Sequence, residues 1–162
     1  MASKRSLTVG LISDTHGLLR PEAVEALRGS DLIVHAGDIG DRDILAALSD
    51  LAPLTAIRGN NDTEAWARRL PDTEVLTAGG TSIYVIHNLA DIDLDPVAAG
   101  FRVVVSGHSH RPGWRSKGGV LYMNPGSAGP RRFSLPVVVG QLVITGGKVA
   151  PKLFELHIET GA

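Results

Sequence analysis

Within the first 60 residues, three short apolar runs alternate with two segments of helical spacing, and few folds accommodate that order. LTVGLIS (7–13), DLIVHA (31–36) and LTAI (54–57) read as buried strands. Between them lie PEAVEALRG (21–29), which opens on proline and closes on glycine, and DRDILAALSDL (41–51), with Ile44, Leu45, Leu48 and Leu51 at helical spacing. Right-handed crossovers joining parallel strands are the economical solution for such a βαβαβ unit.

The second half is richer in strand. EVLTA, Gly79-Gly80 and TSIYVIH predict a hairpin with a glycine turn, and a short helical stretch over 95–99 leads into FRVVVSG. GVLYMN, SLPVVVGQLVIT and VAPKLFELHI come next, the last two separated by Gly146-Gly147. No linker, repeat or low-complexity segment interrupts the 162 residues, so a single domain over 1–162 is expected, with helices packed on a largely β core.

The polar residues at the end of each apolar run point to chemistry. Asp14, Thr15 and His16 come after the first, Asp38 after the second and Asn60 after the third; SIYVI ends in His87, and VVVSG precedes His108 and His110. In an open parallel sheet the carboxyl ends of the strands share one edge, and ligands bind in the crevice outside it. Asp14, Asp38 and Asn60 are therefore expected to meet, and the histidines join them if the later strands run with matching polarity. His35 has the wrong parity for that crevice and reads as a core histidine, while His157 reads as surface. Taken alone, Arg58-Gly59-Asn60-Asn61-Asp62 would be a turn with a helix cap. Two carboxylates, four histidines and one amide are too many ligands for one tetrahedral zinc and suit two divalent ions. Mixed imidazole and oxygen donors favour Mn, Zn, Fe, Ni or Co over Ca or Mg, with manganese the first expectation. Two such ions outweigh two aspartates in charge, so the site favours an anion such as phosphate.

Composition removes other classes. With no cysteine there is no disulfide, thiolate metal site or cysteine nucleophile. A formal net charge of −1 and seven aromatic residues (Trp 2, Tyr 2, Phe 3) offer neither a basic field nor a stacking surface for nucleic acid. The basic start and short apolar run of MASKRSLTVGLISD read as a strand rather than a signal peptide, and LPVVVGQLVI is too short to span a membrane. A cytoplasmic protein without membrane association is expected, with homo-oligomerisation left open.

The ordered set D-x-H (Asp14, His16), G-D (Gly37, Asp38), G-N-x-D (Gly59, Asn60, Asp62), a strand-ending His87 and G-H-x-H (Gly107 to His110) resembles the calcineurin-type metallophosphoesterases. The small size, the RGN-x-D form, His110-Arg111-Pro112 and Asn124-Pro125-Gly126-Ser127 are similar to compact bacterial phosphodiesterases of the YfcE type. The resemblance spans residues 8 to about 127. It implies an α/β fold, a four-layer α-β-β-α sandwich with two central mixed sheets. It also implies that Asp14, His16 and His110 hold one metal and Asn60, His87 and His108 the other, with Asp38 bridging. Asp62 would be a supporting or active-site carboxylate, so that Asp38, Asn61, Asp62 and His87 form the catalytic set. The Asn124-Pro125-Gly126-Ser127 stretch would wall the site, with the Asn124 amide and Ser127 hydroxyl reaching it and Pro125-Gly126 forming a turn. The implied reaction is hydrolysis of a small phosphodiester by a metal-bridging hydroxide attacking in line, with Arg58 or Arg111 offsetting charge on the phosphoryl oxygens.

Two positions depart from the family pattern. Many members carry histidine where this chain has Asn61, and an amide cannot act as a general acid. A preference for good leaving groups, or protonation by solvent or another histidine, is then expected. Asn88 comes after His87 where glycine is common, which bears on the local backbone. The principal alternative is a protein-binding scaffold of the same fold with weak or no catalysis, although every expected ligand is present here. A nuclease and a phosphomonoesterase are less favoured. An amidohydrolase-like enzyme would open with H-x-H rather than D-T-H.

Overall fold

The computed structural model describes residues 6–132 and 134–158, and two five-stranded sheets dominate it. Residues 1–5, at the head of the segment expected to lead into the first strand, lie outside the described residues. The first sheet begins with β1 (Ser6–Ile12), β2 (Leu32–His35) and β3 (Leu54–Ala56), joined by helices α1 (Pro21–Leu27) and α2 (Arg42–Ser49). The three strands run parallel, as the alternation predicts. Pro21 opens α1, where its missing N–H is of no consequence, and the Asp41 carboxylate caps α2 by accepting from Asp43 N at 2.9 Å.

The second sheet holds β4 (Thr73–Ala78), β5 (Thr81–Ile86), β6 (Val103–Val105), β7 (Gly113–Lys117) and β8 (Val120–Asn124), in the order β4-β5-β6-β8-β7. Gly79 and Gly80, both at positive φ, make the tight β4–β5 turn. β5, β6 and β8 are mutually parallel, so His87 and His108 leave this sheet at one edge. β9 (Val138–Thr145) and β10 (Lys148–Glu155) return as a hairpin onto β1, giving the first sheet the order β10-β9-β1-β2-β3. β7, sequence GWRSK, is a strand that apolar patterning does not reveal. It is a charged, exposed edge strand held by its ladder to β8.

Three clusters of buried side chains stack these elements in the order α-β-β-α. Val9, Leu11, Val34, Ile83, Val85 and Leu142 fill the space between the sheets. Ile12, Ile33 and Val139 face α1 and α2 on one outer side, where they meet Leu27, Ile44 and Leu48. On the other outer side Tyr84, Ile86 and Val104 lie under Leu89, Ile92, Leu94 and Phe101, a segment that includes the four-residue helix α3 (Pro96–Ala99) capped by Asp95. Each fully buried Val, Leu or Ile contributes roughly 1.5–3 kcal/mol, so the layers hold through many such contacts rather than a few polar ones. No helix among the described residues is long and apolar enough to cross a membrane.

Candidate metal centre

The strand ends of the two sheets meet along one seam. Asp14 and His16 lie just past β1, Asp38 past β2 and Asn60 past β3, whereas His87 lies past β5 and His108 and His110 past β6. All seven residues predicted as ligands gather there. Two triads have ligand atoms mutually within 4.8 Å: Asp14, His16 and His110, and Asp38, His87 and His108. Asn60 adjoins the second, with its Oδ1 3.2 Å from His108 Nδ1. Asp38 faces both groups, its Oδ2 being 3.8 Å from His16 Nε2 and 3.2 Å from His87 Nε2.

The backbone is bent to make this possible. Asp14, His16, Asp38, His108 and His110 are the non-glycine residues at positive φ among the described residues, with φ between 46° and 71°. Five of the seven gathered side chains thus sit in a conformation that L residues avoid, at a cost of about 1–3 kcal/mol each. The motif glycines have a steric reason. A Cβ on Gly59 would lie 2.2 Å from both the backbone N and Oδ1 of Asp38, and one on Gly107 would lie 2.6 Å from Asp14 Oδ2. The glycines let loops from different strands touch the carboxylates directly.

The donor set fits cations. His87 Nδ1–H donates to Ala36 O at 2.7 Å, which leaves Nε2 as the lone-pair atom of the neutral ring. That Nε2 is buried without a hydrogen-bond partner, although Asp38 Oδ2 is 3.2 Å away. Asp14 Oδ1 is likewise buried without a partner, 3.4 Å from His110 Nε2 and 3.7 Å from His16 Nε2. Electron-rich atoms packed this closely repel unless a proton or a metal ion lies between them.

Electrostatics agree. Burial tends to raise the Asp38 carboxyl, but contact with His87 and the Asn61 N–H outweighs it and holds the group at about 2. Asp14 is also lowered, burial being outweighed by His16 and Ser13, whose hydroxyl donates at 2.6 Å. Burial opposes protonation of His87, yet Asp38 and Ala36 O raise its proton affinity above the ordinary value. Burial lowers the His110 pKa, which favours the neutral ring that can ligate.

Other predicted residues take different places. Asp62 does not face the triads: its carboxylate accepts from Ile39 N at 3.0 Å, Gly40 N at 3.1 Å and Gly59 N at 2.9 Å. It clamps the Asp38 loop to the Asn60 loop, an arrangement that suits the supporting one of the two roles the resemblance implies for it. Asn61 holds Asp38 through its backbone N–H at 2.8 Å and its side-chain amide at 3.2 Å. The Arg58 guanidinium is bound to Asp72 at 2.7 Å on the rim, whereas Arg111 is exposed beside His108. The Asn124 amide and Ser127 hydroxyl bond to the backbone of the loops that carry the triads. Asn124 Nδ2 donates to Gly107 O at 3.0 Å and Ser127 Oγ to Asp14 O at 3.0 Å, so both fix ligand-bearing loops. Asn88 has an unstrained φ of −111° and caps Ala90 N at 3.1 Å.

His35 is fully buried on the helix side of β2. The Thr15 hydroxyl donates to Ile39 O at 2.8 Å, so at 3.0 Å it accepts from His35 Nε2–H, and His35 Nδ1 accepts from Gly37 N at 3.1 Å. One neutral tautomer thereby ties the loop bearing Asp14 to the loop bearing Asp38, a link that periodicity alone does not disclose.

The chain matches the calcineurin-like phosphoesterase superfamily domain over residues 7–146. The chain belongs to that superfamily. It is 35% identical to a probable metallophosphoesterase of Methanothermobacter thermautotrophicus over 167 residues, covering 96% of this chain and 94% of the relative. Among solved structures, an archaeal phosphodiesterase superposes with a TM-score of 0.78 at 21% identity, covering 93% of this chain and all of the other. Vacuolar protein sorting 29 from Cryptosporidium parvum superposes at 0.72 and 19% identity, covering 93% and 98%. At these identities the two structures share the superfamily's fold with this chain. As a metallophosphoesterase, the family uses divalent metals, and the two triads are its candidate ligands here.

Proposed function

We propose that this chain is a dinuclear metal-dependent phosphoesterase that hydrolyses small phosphodiesters. The observation that carries the reading is the pair of triads, each drawn from both sheets, with Asp38 facing both. Asp14, His16 and His110 would hold one cation, and Asp38, His87 and His108 the other, with Asn60 completing the second group. Bound there, divalent cations supply an activated water and positive charge for the phosphoryl oxygens. Mn is the first candidate, with Zn, Fe, Ni or Co also suited to imidazole and carboxylate donors.

The chain's own residues then divide the work. Asp38 stays ionised and is held from below by the Asn61 backbone N–H. His87 keeps Nε2 aimed at the seam because Ala36 O fixes its other nitrogen. Asn61 orients Asp38 and offers no titratable proton, so the leaving group takes its proton from solvent. Arg111, exposed beside His108 and without an ion pair among the described residues, offers a guanidinium to the substrate anion, whereas Arg58 is occupied by Asp72.

Turnover of bis-p-nitrophenyl phosphate by the purified protein with Mn²⁺ is expected, together with its loss in Asp38→Asn. A second reading, a protein-binding scaffold, is favoured by the resemblance to vacuolar protein sorting 29. Absence of metal-dependent turnover in the parent protein would select it.

A further inference from the structure

Two grooves open on the outer face of the second sheet, one on each side of Asn88 and His108. They differ in charge. The groove of about 420 Å³ contains Asp72, Asp91 and Asp93 against the single Arg58, which Asp72 neutralises at 2.7 Å. The other, about 310 Å³, is lined by Arg111, Arg115, Trp114 and Tyr122 and contains no carboxylate. Among the described residues, the arginine ion pairs are Arg28–Glu25 and Arg58–Asp72, so Arg111 and Arg115 keep their charge for a ligand.

The second groove also has flat surfaces. Arg115 pairs with Tyr122 across the β7–β8 ladder, and its guanidinium lies 5.8 Å above the Tyr122 ring. Trp114 is 54% exposed on the same edge strand. A guanidinium laid over a half-buried tyrosine ring forms a stacking and cation–π surface on which a base can be held, whereas Trp114, paired with Met123, lies on the other face of the strand. The composition argued against a basic groove or stacking surface anywhere in the chain. The β7–β8 hairpin makes a small one locally, from residues on two strands of which apolar patterning misses one.

We propose that the Arg111–Arg115–Tyr122 groove is the subsite for the nucleoside arm of a nucleotide ester. The proposal rests on the phosphoesterase reading, because His108 belongs both to the groove and to the second triad. A phosphate held at the triads therefore has one ester oxygen at the mouth of this groove. The base stacks beside Arg115, and the acidic groove on the far side of His108 repels any further phosphate and fixes the orientation.

The test is binding of adenosine 5′-monophosphate and ribose 5-phosphate by calorimetry, with Mn²⁺ and with chelator. Adenine is expected to tighten binding to the Mn²⁺-loaded protein at least about tenfold, within the range of base–aromatic stacking. That increment should fall below about threefold in Arg115→Gln and in Tyr122→Leu. Arg115 is exposed on an edge strand, so its variant decides the matter if Tyr122→Leu fails to fold. Equal affinities in the parent protein, or an increment that survives Arg115→Gln, overturn the subsite. Hydrolysis of bis-p-nitrophenyl phosphate is scored separately. Adenine-dependent binding without turnover upholds the subsite and removes only the phosphodiesterase reading, and turnover without an adenine increment does the reverse.

Discussion

His87 Nε2 lies 3.2 Å from Asp38 Oδ2 with no hydrogen bond between them, and in the neutral ring Ala36 O takes the one proton through Nδ1, leaving two lone pairs face to face. A cation between the two atoms turns that repulsion into two bonds. Adding Mn²⁺ at a hundredfold excess over its dissociation constant should therefore stabilise the fold by about 2.7 kcal/mol per site. For a chain of this size that is a rise of roughly 5–10 °C in Tm. Scanning calorimetry with Mn²⁺ and with chelator measures it, and Asp38→Asn should lose most of the shift. An unchanged Tm in the parent protein would sink the two-cation reading.

Asn61 tests the leaving-group step. Asn61→Ala removes an amide 3.2 Å from Asp38 Oδ2 and is expected to slow turnover about tenfold without changing the shape of the pH–rate profile. Asn61→His introduces a group that must be protonated to act as an acid, so its rate on esters with poor leaving groups should fall as pH rises through the histidine pKa. An acid-dependent limb in the parent protein that disappears in Asn61→Ala would show that this position already handles a proton.

Asp62→Asn separates positioning from chemistry. The carboxylate accepts from three backbone N–H groups, and an amide in its place turns donors toward donors. A loss on the order of 3 kcal/mol in urea unfolding is expected. Metal affinity should fall with it, since the clamp holds the loop carrying Asp38. A variant of full stability and full metal affinity but no turnover would instead make Asp62 a reacting group.

His35 sets a pH dependence of stability. Burial lowers its pKa to about 4, outweighing the nearby Asp14 and Asp62, and a second proton would have to sit on Nδ1 against Gly37 N–H. The unfolded chain binds that proton near the ordinary 6.5 and the folded one near 4, so stability falls as pH drops across this window. The loss approaches roughly 3 kcal/mol at its foot. His110, also lowered, adds in the same direction, and His87, raised, opposes it. Urea titrations in chelator from about pH 7 to about pH 4 should show a shallower slope in His35→Gln than in the parent, and equal slopes would contradict the assignment.

Much of this was legible in the residues, for physical reasons that differ by element. The parallel β1–β2–β3 order comes from the helices between the strands, since each crossover brings the chain back to start the next strand in the same direction, and the wrong parity of His35 comes from the period of two in LIVHA. β7 was illegible because an edge strand with four exposed residues has no apolar alternation to read; its register comes from β8. The seven gathered side chains were visible as strand-terminal polar residues. The roles of Asp62, Asn124 and Ser127 were not, because each depends on which backbone N–H or carbonyl of a distant loop arrives beside it. The groove residues Arg115 and Tyr122 meet only once the hairpin is paired.

Each triad takes members from both sheets, Asp14 and His16 with His110, and Asp38 with His87 and His108. The distance between ligands is thus the distance between two separately hydrogen-bonded sheets, set by Val9, Leu11, Val85 and their neighbours in the core. Thermodynamic linkage then runs both ways. An enlarged or emptied side chain in that core, far from any ligand, becomes a change in ion affinity, and stripping the ions becomes a loosening of the interior.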